Sequence, residues 1–194
     1  MNLEKLAYNW ISVKAQEVDI KSNFYCQTRD IFQARLEKTP GDLLKNDKMD
    51  EGDSYVLAAM VGEIGNNSFD HNLGSWPDVA GIFFAYDFYN NSLKIVLADR
   101  GQGVFSSLKK VKPEIKDDSE ALKVAFLEKI SGRAPENRGN GLKFVKENIE
   151  AKNMRLLFIS GTAEARLNKK MEIKETTKNI KGCLAIIDYS NLCE

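Results

Sequence analysis

The sequence predicts an α+β fold: a two-layer α/β sandwich with a mixed, mostly antiparallel sheet and helices on one face. Three observations predict it. Residues 54–71 carry apolar side chains at helical spacing. Two apolar runs, 80–89 and 93–99, meet at Asn90-Asn91-Ser92, which is hairpin chemistry. A second helical run, 142–152, is followed by strand-like runs.

In chain order, residues 1–38 hold two weakly amphipathic stretches. Leu3, Leu6 and Trp10 mark the first; Phe24, Ile31, Phe32 and Leu36 mark the second. Thr39-Pro40-Gly41 through Asp50-Glu51-Gly52-Asp53 is polar and turn-rich and reads as a linker. The expected organisation is therefore an N-terminal extension over 1–52, helical and packed on the core, and one domain over 53–194.

In the 54–71 helix, Asp53 or Ser54 is the expected N-cap. Leu57, Met60, Val61, Ile64 and Ser68 share one stripe. Gly62 and Gly65 each cost about 1 kcal/mol against alanine inside a helix, which implies close packing by a neighbour. Asn72 through Pro77 ends the helix. Residues 101–141 carry glycines at both ends and a short helical pattern between them (Ala121, Leu122, Ala125, Phe126). In 142–152, Leu142, Val145 and Ile149 face inward. Strands are expected at 154–160, around 164–174 and at 183–189.

Composition limits the function. The chain has 194 residues, with 28 Lys+Arg against 28 Asp+Glu, so it lacks the cationic surplus that coats nucleic acid. Hydrophobic content of 43% with 29% charged residues is that of a folded globular domain. No apolar run approaches the ~20 residues that span a bilayer, and the N-terminus does not read as a secretory leader. Cys26, Cys183 and Cys193 form no CxxC, and His71 is the sole histidine. A disulfide framework or zinc cluster is not expected, and the thiols fit a reduced, cytoplasmic setting.

Three segments carry possible chemistry. On a helical wheel, with Glu63 at zero, Asn67 falls at about 40°, Asp70 at about 340° and His71 at about 80°, so all four share one face. Asp99-Arg100-Gly101-Gln102-Gly103 ends a strand with a carboxylate and two glycines, which admit close approach of a ligand to backbone. Arg138-Gly139-Asn140-Gly141-Leu142 opens a helix, whose free N–H groups suit an anion. Each segment also has a plain reading: a solvated face, a tight turn, an ordinary helix start. The third is neither a P-loop nor a dinucleotide-binding fingerprint, because no Gly-Lys-Ser/Thr follows and Phe144 replaces the third glycine.

Together and in this order, the segments resemble the GHKL superfamily of ATP-binding domains, which includes DNA gyrase, heat-shock chaperones, sensor histidine kinases and MutL-type proteins. Glu63-Ile-Gly-Asn-Asn67-Ser-Phe-Asp70-His71-Asn72 is similar to the N box, and residues 99–103 and 139–142 to the two glycine boxes. The resemblance covers roughly 54–190 and is nearest to stand-alone bacterial ATP-binding proteins. It implies a Bergerat-type fold with an ATP lid over 104–138, and ATP and Mg²⁺ as cofactors. By the same resemblance, Asn67 would ligate Mg²⁺ and Asp99 would read the adenine amine. Gly101 and Gly103 would let the purine lie against backbone. Gly139, Asn140, Gly141 and Leu142 would hold the triphosphate. Ser131, Arg133 and Arg138 would reach the γ-phosphate, Asp70 and His71 of the N box would help bind the cofactor, and Glu63 matches the general base of hydrolysing members. Where family members often place a threonine beside a late glycine, this chain has Gly182-Cys183, with Thr162 as an alternative hydroxyl.

The function this implies is a Mg²⁺·ATP-binding domain acting as a slow ATPase. The alternatives are a protein kinase of a partner, as in anti-sigma factors, and a non-enzymatic module switched by ATP and ADP. A protein partner is expected, as is a homodimer through residues 1–52. No histidine precedes the domain and no transducer follows it, so a complete sensor kinase or topoisomerase is not expected.

Overall fold

The computed structural model describes residues 2–89, 91–129, 140–152 and 154–190. Helix α1 spans Leu3–Ser12, capped by the Asn2 side chain accepting from the Lys5 N–H at 3.0 Å. Strand β1 is Tyr25–Cys26 and helix α2 is Arg29–Leu43, with Thr28 as N-cap. Then follow α3 (Glu51–Asn72), β2 (Ile82–Tyr89), β3 (Ser92–Asp99), α4 (Gly103–Lys109), α5 (Asp118–Leu127), α6 (Gly141–Ala151), β4 (Arg155–Leu167) and β5 (Met171–Tyr189).

The strands form one sheet in the order β1-β2-β3-β5-β4, and every pairing is antiparallel. The fold is thus an α+β sandwich, with a purely antiparallel sheet where a mixed one was expected. The β2–β3 hairpin turns at Asn91, in the left-handed region at φ 56°, as its asparagine suggests. The three C-terminal strands expected from the sequence are two. Residues 168–170, inside the expected 164–174 strand, are the turn between β4 and β5. The β4–β5 register shifts around Gly161, at φ 59°.

Alternation along the strands divides the apolar residues between two layers. Ile82, Phe84, Ile95, Leu97, Phe158, Ala185 and Ile187 share a core with residues of α2, α3, α5 and α6. Phe83, Ala85, Val96, Ala98, Leu184 and Ile186 form another with Leu3, Ala7, Trp10 and Ile11 of α1. Most helices therefore lie on one face, as expected, and α1 covers the other.

The expected linker over 39–53 is helical at both ends instead, with turns confined to 44–50. Helix α2 runs through Thr39, Pro40 and Gly41, and Thr39, Pro40 and Leu43 are buried. Their burial outweighs the turn signal of the sequence. Helix α3 starts three residues before the expected Ser54, because Asp50 caps it through the Asp53 N–H at 2.9 Å. Its two interior glycines face α2. A Cβ at Gly62 would lie 3.1 Å from the Leu36 side chain, and one at Gly65 would overlap the Phe32 ring.

Candidate functional site

Helix α3 carries the candidate site residues of the N-box stretch, and three stretches of chain meet it in succession. Near its middle, Glu63 and Asn67 face the start of α6. A Cβ added at Gly141 would lie 2.5 Å from Glu63 Oε2 and 3.5 Å from Asn67 Nδ2. The first turn of α6 lies against the ends of these side chains, with no Cβ at residue 141 between them. Its N-cap, Asn140, makes no side-chain capping bond, and no acidic residue stands in the first turn. Among the described residues, no side chain therefore caps the first N–H groups of α6. Leu142 is half-buried beside them.

One turn further along α3, Ser68 and Asn72 meet residues 99–102. Asp99, 2% exposed, ends β3. Its Oδ2 accepts from the Ser68 hydroxyl at 2.7 Å and its Oδ1 from the Gly101 N–H at 2.8 Å. The Gln102 N–H donates to Asn72 Oδ1 at 2.8 Å. A Cβ at Gly101 would overlap the Asn72 amide, so glycine is required there for close approach. Burial pushes the Asp99 carboxyl above its ordinary range, against the opposing effect of hydrogen bonds from Ser68, Gly101 and Cys183.

Across the sheet, Asp99 pairs with Cys183, and Cys183 pairs with Ser160. The Cys183 thiol lies 3.7 Å from Ser160 Oγ. Burial and the neighbouring Asp99 charge raise the thiol well above its ordinary value. Ser160 Oγ accepts from the Val104 N–H at 2.9 Å and donates to the Gly182 carbonyl at 3.2 Å, tying the start of α4 to the sheet. Gly103, at φ 77°, makes the turn into α4. Near the end of α3, His71 Nδ1 is 2.9 Å from Ser107 Oγ of α4, and the Gln102 side-chain amide donates to the His71 carbonyl.

The expected site residues therefore divide. Glu63, Asn67 and Gly141 come together, as do Asp99, Gly101 and Gly103, and α3 joins the two groups. Asp70 forms an ion pair with Arg29 of α2. Thr162 bonds Asp118 through both its N–H and its hydroxyl at 2.9 Å. Ser131, Arg133, Arg138 and Gly139 lie outside the described residues, as does the end of the expected lid; residues 104–129 contribute α4 and α5.

Sequence reasoning gave no individual role to Ser68, Asn72 or Ser160, although Ser68 and Asn72 lie inside the stretch similar to the N box. Ser68 had a further signal, a hydroxyl on an otherwise apolar stripe. Ser160 had none beyond ending a strand. A surface groove of about 600 Å³, lined by residues including Lys112, Lys116, Lys123 and Leu127, holds none of the motif residues. Among the described residues no helix is long and apolar enough to cross a membrane.

No family profile matches the chain, and no curated protein matches it. Among solved structures, the ATPase region of Saccharomyces cerevisiae topoisomerase II superposes on 68% of this chain with 11% identity and a TM-score of 0.38. The match covers 36% of that structure's chain.

Proposed function

We propose that the chain binds Mg²⁺·ATP and hydrolyses it slowly, with Glu63 as general base. The observation that carries this reading is the approach of Gly141 to Glu63 and Asn67. It puts a carboxylate, an amide and a helix N-terminus without a side-chain cap among the described residues side by side. That combination suits a phosphate chain and a water to attack it.

The residues fit Mg²⁺ as the cation. Among the described residues there is no group of three or more His, Cys, Asp or Glu side chains that could hold a metal ion. Mg²⁺ needs no such cage, because it binds through one or two protein oxygens, waters and substrate phosphates. Asn67 Oδ1 would be the protein ligand, and bound Mg²⁺ would offset phosphate charge. Glu63 is exposed, so its carboxylate can accept a proton from water. The start of α6, with Asn140, Gly141 and Leu142, would receive the phosphates, joined by Gly139, Ser131 and Arg138.

Asp99 would accept a hydrogen bond from the adenine amine. Ser68, Gly101 and Cys183 already donate to that carboxylate, so in this reading the amine takes the place of one of them. Asp99 is enclosed in this conformation, and in this reading the purine enters as the first turn of α4 shifts away from Ser160. Gly101 and Gly103 would line the purine, and Cys183 with Ser160 would stand where many GHKL members have threonine. Asp70 and His71 would act from behind, holding α3 against α2 and α4.

The test is phosphate release from Mg²⁺·ATP by the wild type and Glu63→Ala, with ATP affinity measured on both. Loss of a general base lowers turnover by about 10²–10⁴-fold while binding persists. Equal release by the two proteins would overturn the assignment. Phosphate found on an added protein instead of in solution would favour the kinase alternative.

A further inference from the structure

Arg100 is 1% exposed and stands among the largest fully enclosed side chains, yet the reading above gives it no task. It follows Asp99 in sequence, and the partners of the two residues lie on opposite sides of the sheet. Asp99 meets Ser68 of α3, whereas Arg100 meets α1 and the segment after α3. Its Nε donates to Asp78 Oδ1 at 3.0 Å and its Nη2 to Asp78 Oδ2 at 2.7 Å. This is the two-pronged geometry that guanidinium offers and ammonium cannot. Its Nη1 donates to the Trp10 carbonyl at 2.8 Å. Trp10 lies in the last turn of α1, where carbonyls lack helical partners and no basic residue of the helix itself stands. One guanidinium thus satisfies the end of α1 and joins it to Asp78.

The consequence falls on the turn 99–102. Its other ties run within the turn (Gly101 N–H to Asp99), to α3 (Ser68 to Asp99, Gln102 to Asn72 and His71), to Lys110 and along the sheet, where Asp99 pairs with Ile82 and Cys183; none of these reaches α1. Arg100 holds it from the α1 side. We propose that Arg100 is a positioning residue for purine recognition. Its fork on Asp78 and its bond to Trp10 fix the turn so that the Asp99 carboxylate stands where it reads an exocyclic amine. The proposal rests on the reading of Asp99 given above, and it makes α1 and Asp78 determinants of base selectivity although neither belongs to the three motifs.

The experiment compares the affinities of ATP and purine riboside triphosphate, which lacks the 6-amino group, for the wild type, Arg100→Met and Asp78→Asn. Circular dichroism confirms that each variant is folded. General loosening would weaken both nucleotides in proportion and leave their ratio unchanged. Loss of positioning acts on the amine alone. The wild type should prefer ATP by about tenfold or more, the worth of a hydrogen bond to a charged group. In Arg100→Met the ratio should fall to within about threefold of unity, while affinity for the analogue stays within about threefold of the wild type. If Arg100→Met does not fold, Asp78→Asn decides, with a reduced ratio expected. Variants that keep the full wild-type ratio overturn the role of Arg100 and leave Asp99 untouched. A wild type that binds both nucleotides equally overturns the reading of Asp99, and the Arg100 proposal falls with it.

Discussion

Replacing Gly182 with alanine should both destabilise the protein and damage the site, and the structure allows the cost to be worked out. Gly182 has φ 71°. An L-residue in that region costs about 1–2 kcal/mol. The added Cβ would overlap the Asp99 carbonyl and lie 2.5 Å from Asp99 Oδ1 and 2.6 Å from the Gly101 nitrogen. These are backbone atoms and a carboxylate held by its own donors, so none yields cheaply. Relief requires β5 to part from β3 near the Asp99–Cys183 pair, and overpacking of this kind costs about 1–3 kcal/mol. The expected loss is about 2–5 kcal/mol, or about 4–20 °C in Tm for a chain of this size. Urea unfolding followed by circular dichroism measures it. Gly41→Ala is the control: Gly41 is an exposed residue of α2 whose Cβ would meet nothing within 4 Å. That change should stabilise by up to about 1 kcal/mol. A Gly182→Ala protein within 1 kcal/mol of the wild type (roughly the lower bound of the strain term alone) would refute the reasoning.

Three further outcomes follow from the same geometry. Gly65→Ala drives a methyl into the Phe32 ring, which is buried between Phe69 and Phe84; urea melts should show a loss of about 1–3 kcal/mol, and an unchanged midpoint would contradict the α2–α3 packing. Gly141→Ala meets only the end of the exposed Glu63 side chain and the Asn67 amide, so stability should stay within about 0.5 kcal/mol while phosphate release drops; equal release would separate Glu63 from the start of α6. For Asp99, burial raises the folded-state value, so the folded protein keeps that proton to higher pH than the unfolded chain. Ligand-free stability should therefore fall as pH rises from the ordinary carboxylate range through the raised value, and Asp99→Asn should lack that fall; a variant showing the same decline would contradict the assignment.

The elements were legible in the sequence wherever local pattern and tertiary burial agree. The α3 helix, the β2–β3 hairpin and α6 follow from periodicity and turn chemistry, and Gly62 and Gly65 signalled the close neighbour that α2 proves to be. Thr39-Pro40-Gly41 misled because a helix close to its C-terminus tolerates a turn-like composition when Pro40 and Leu43 are buried. The long β4–β5 hairpin was hidden by polar residues in its outer part, such as Glu172, Lys174 and Glu175, which interrupt the apolar pattern. Of the residues that the fold brings together at the end of β3, the glycines and Asp99 stood out in the sequence. Ser68, Ser160 and Arg100 did not, because their importance lies in partners distant in sequence: Asp99, Val104 and Asp78. Such pairings arise only when the sheet is assembled.

In the proposed function, Asp99, at the end of β3, would read a purine whose phosphates lie at the start of α6. Calorimetric titration of Mg²⁺·ATP into the wild type and Asp99→Asn tests it most directly. Saturable binding to the wild type is expected, with weaker binding of GTP and an ATP affinity lower by about tenfold or more in the variant. Absence of binding by the wild type, or equal affinity of the two proteins for ATP, would contradict it.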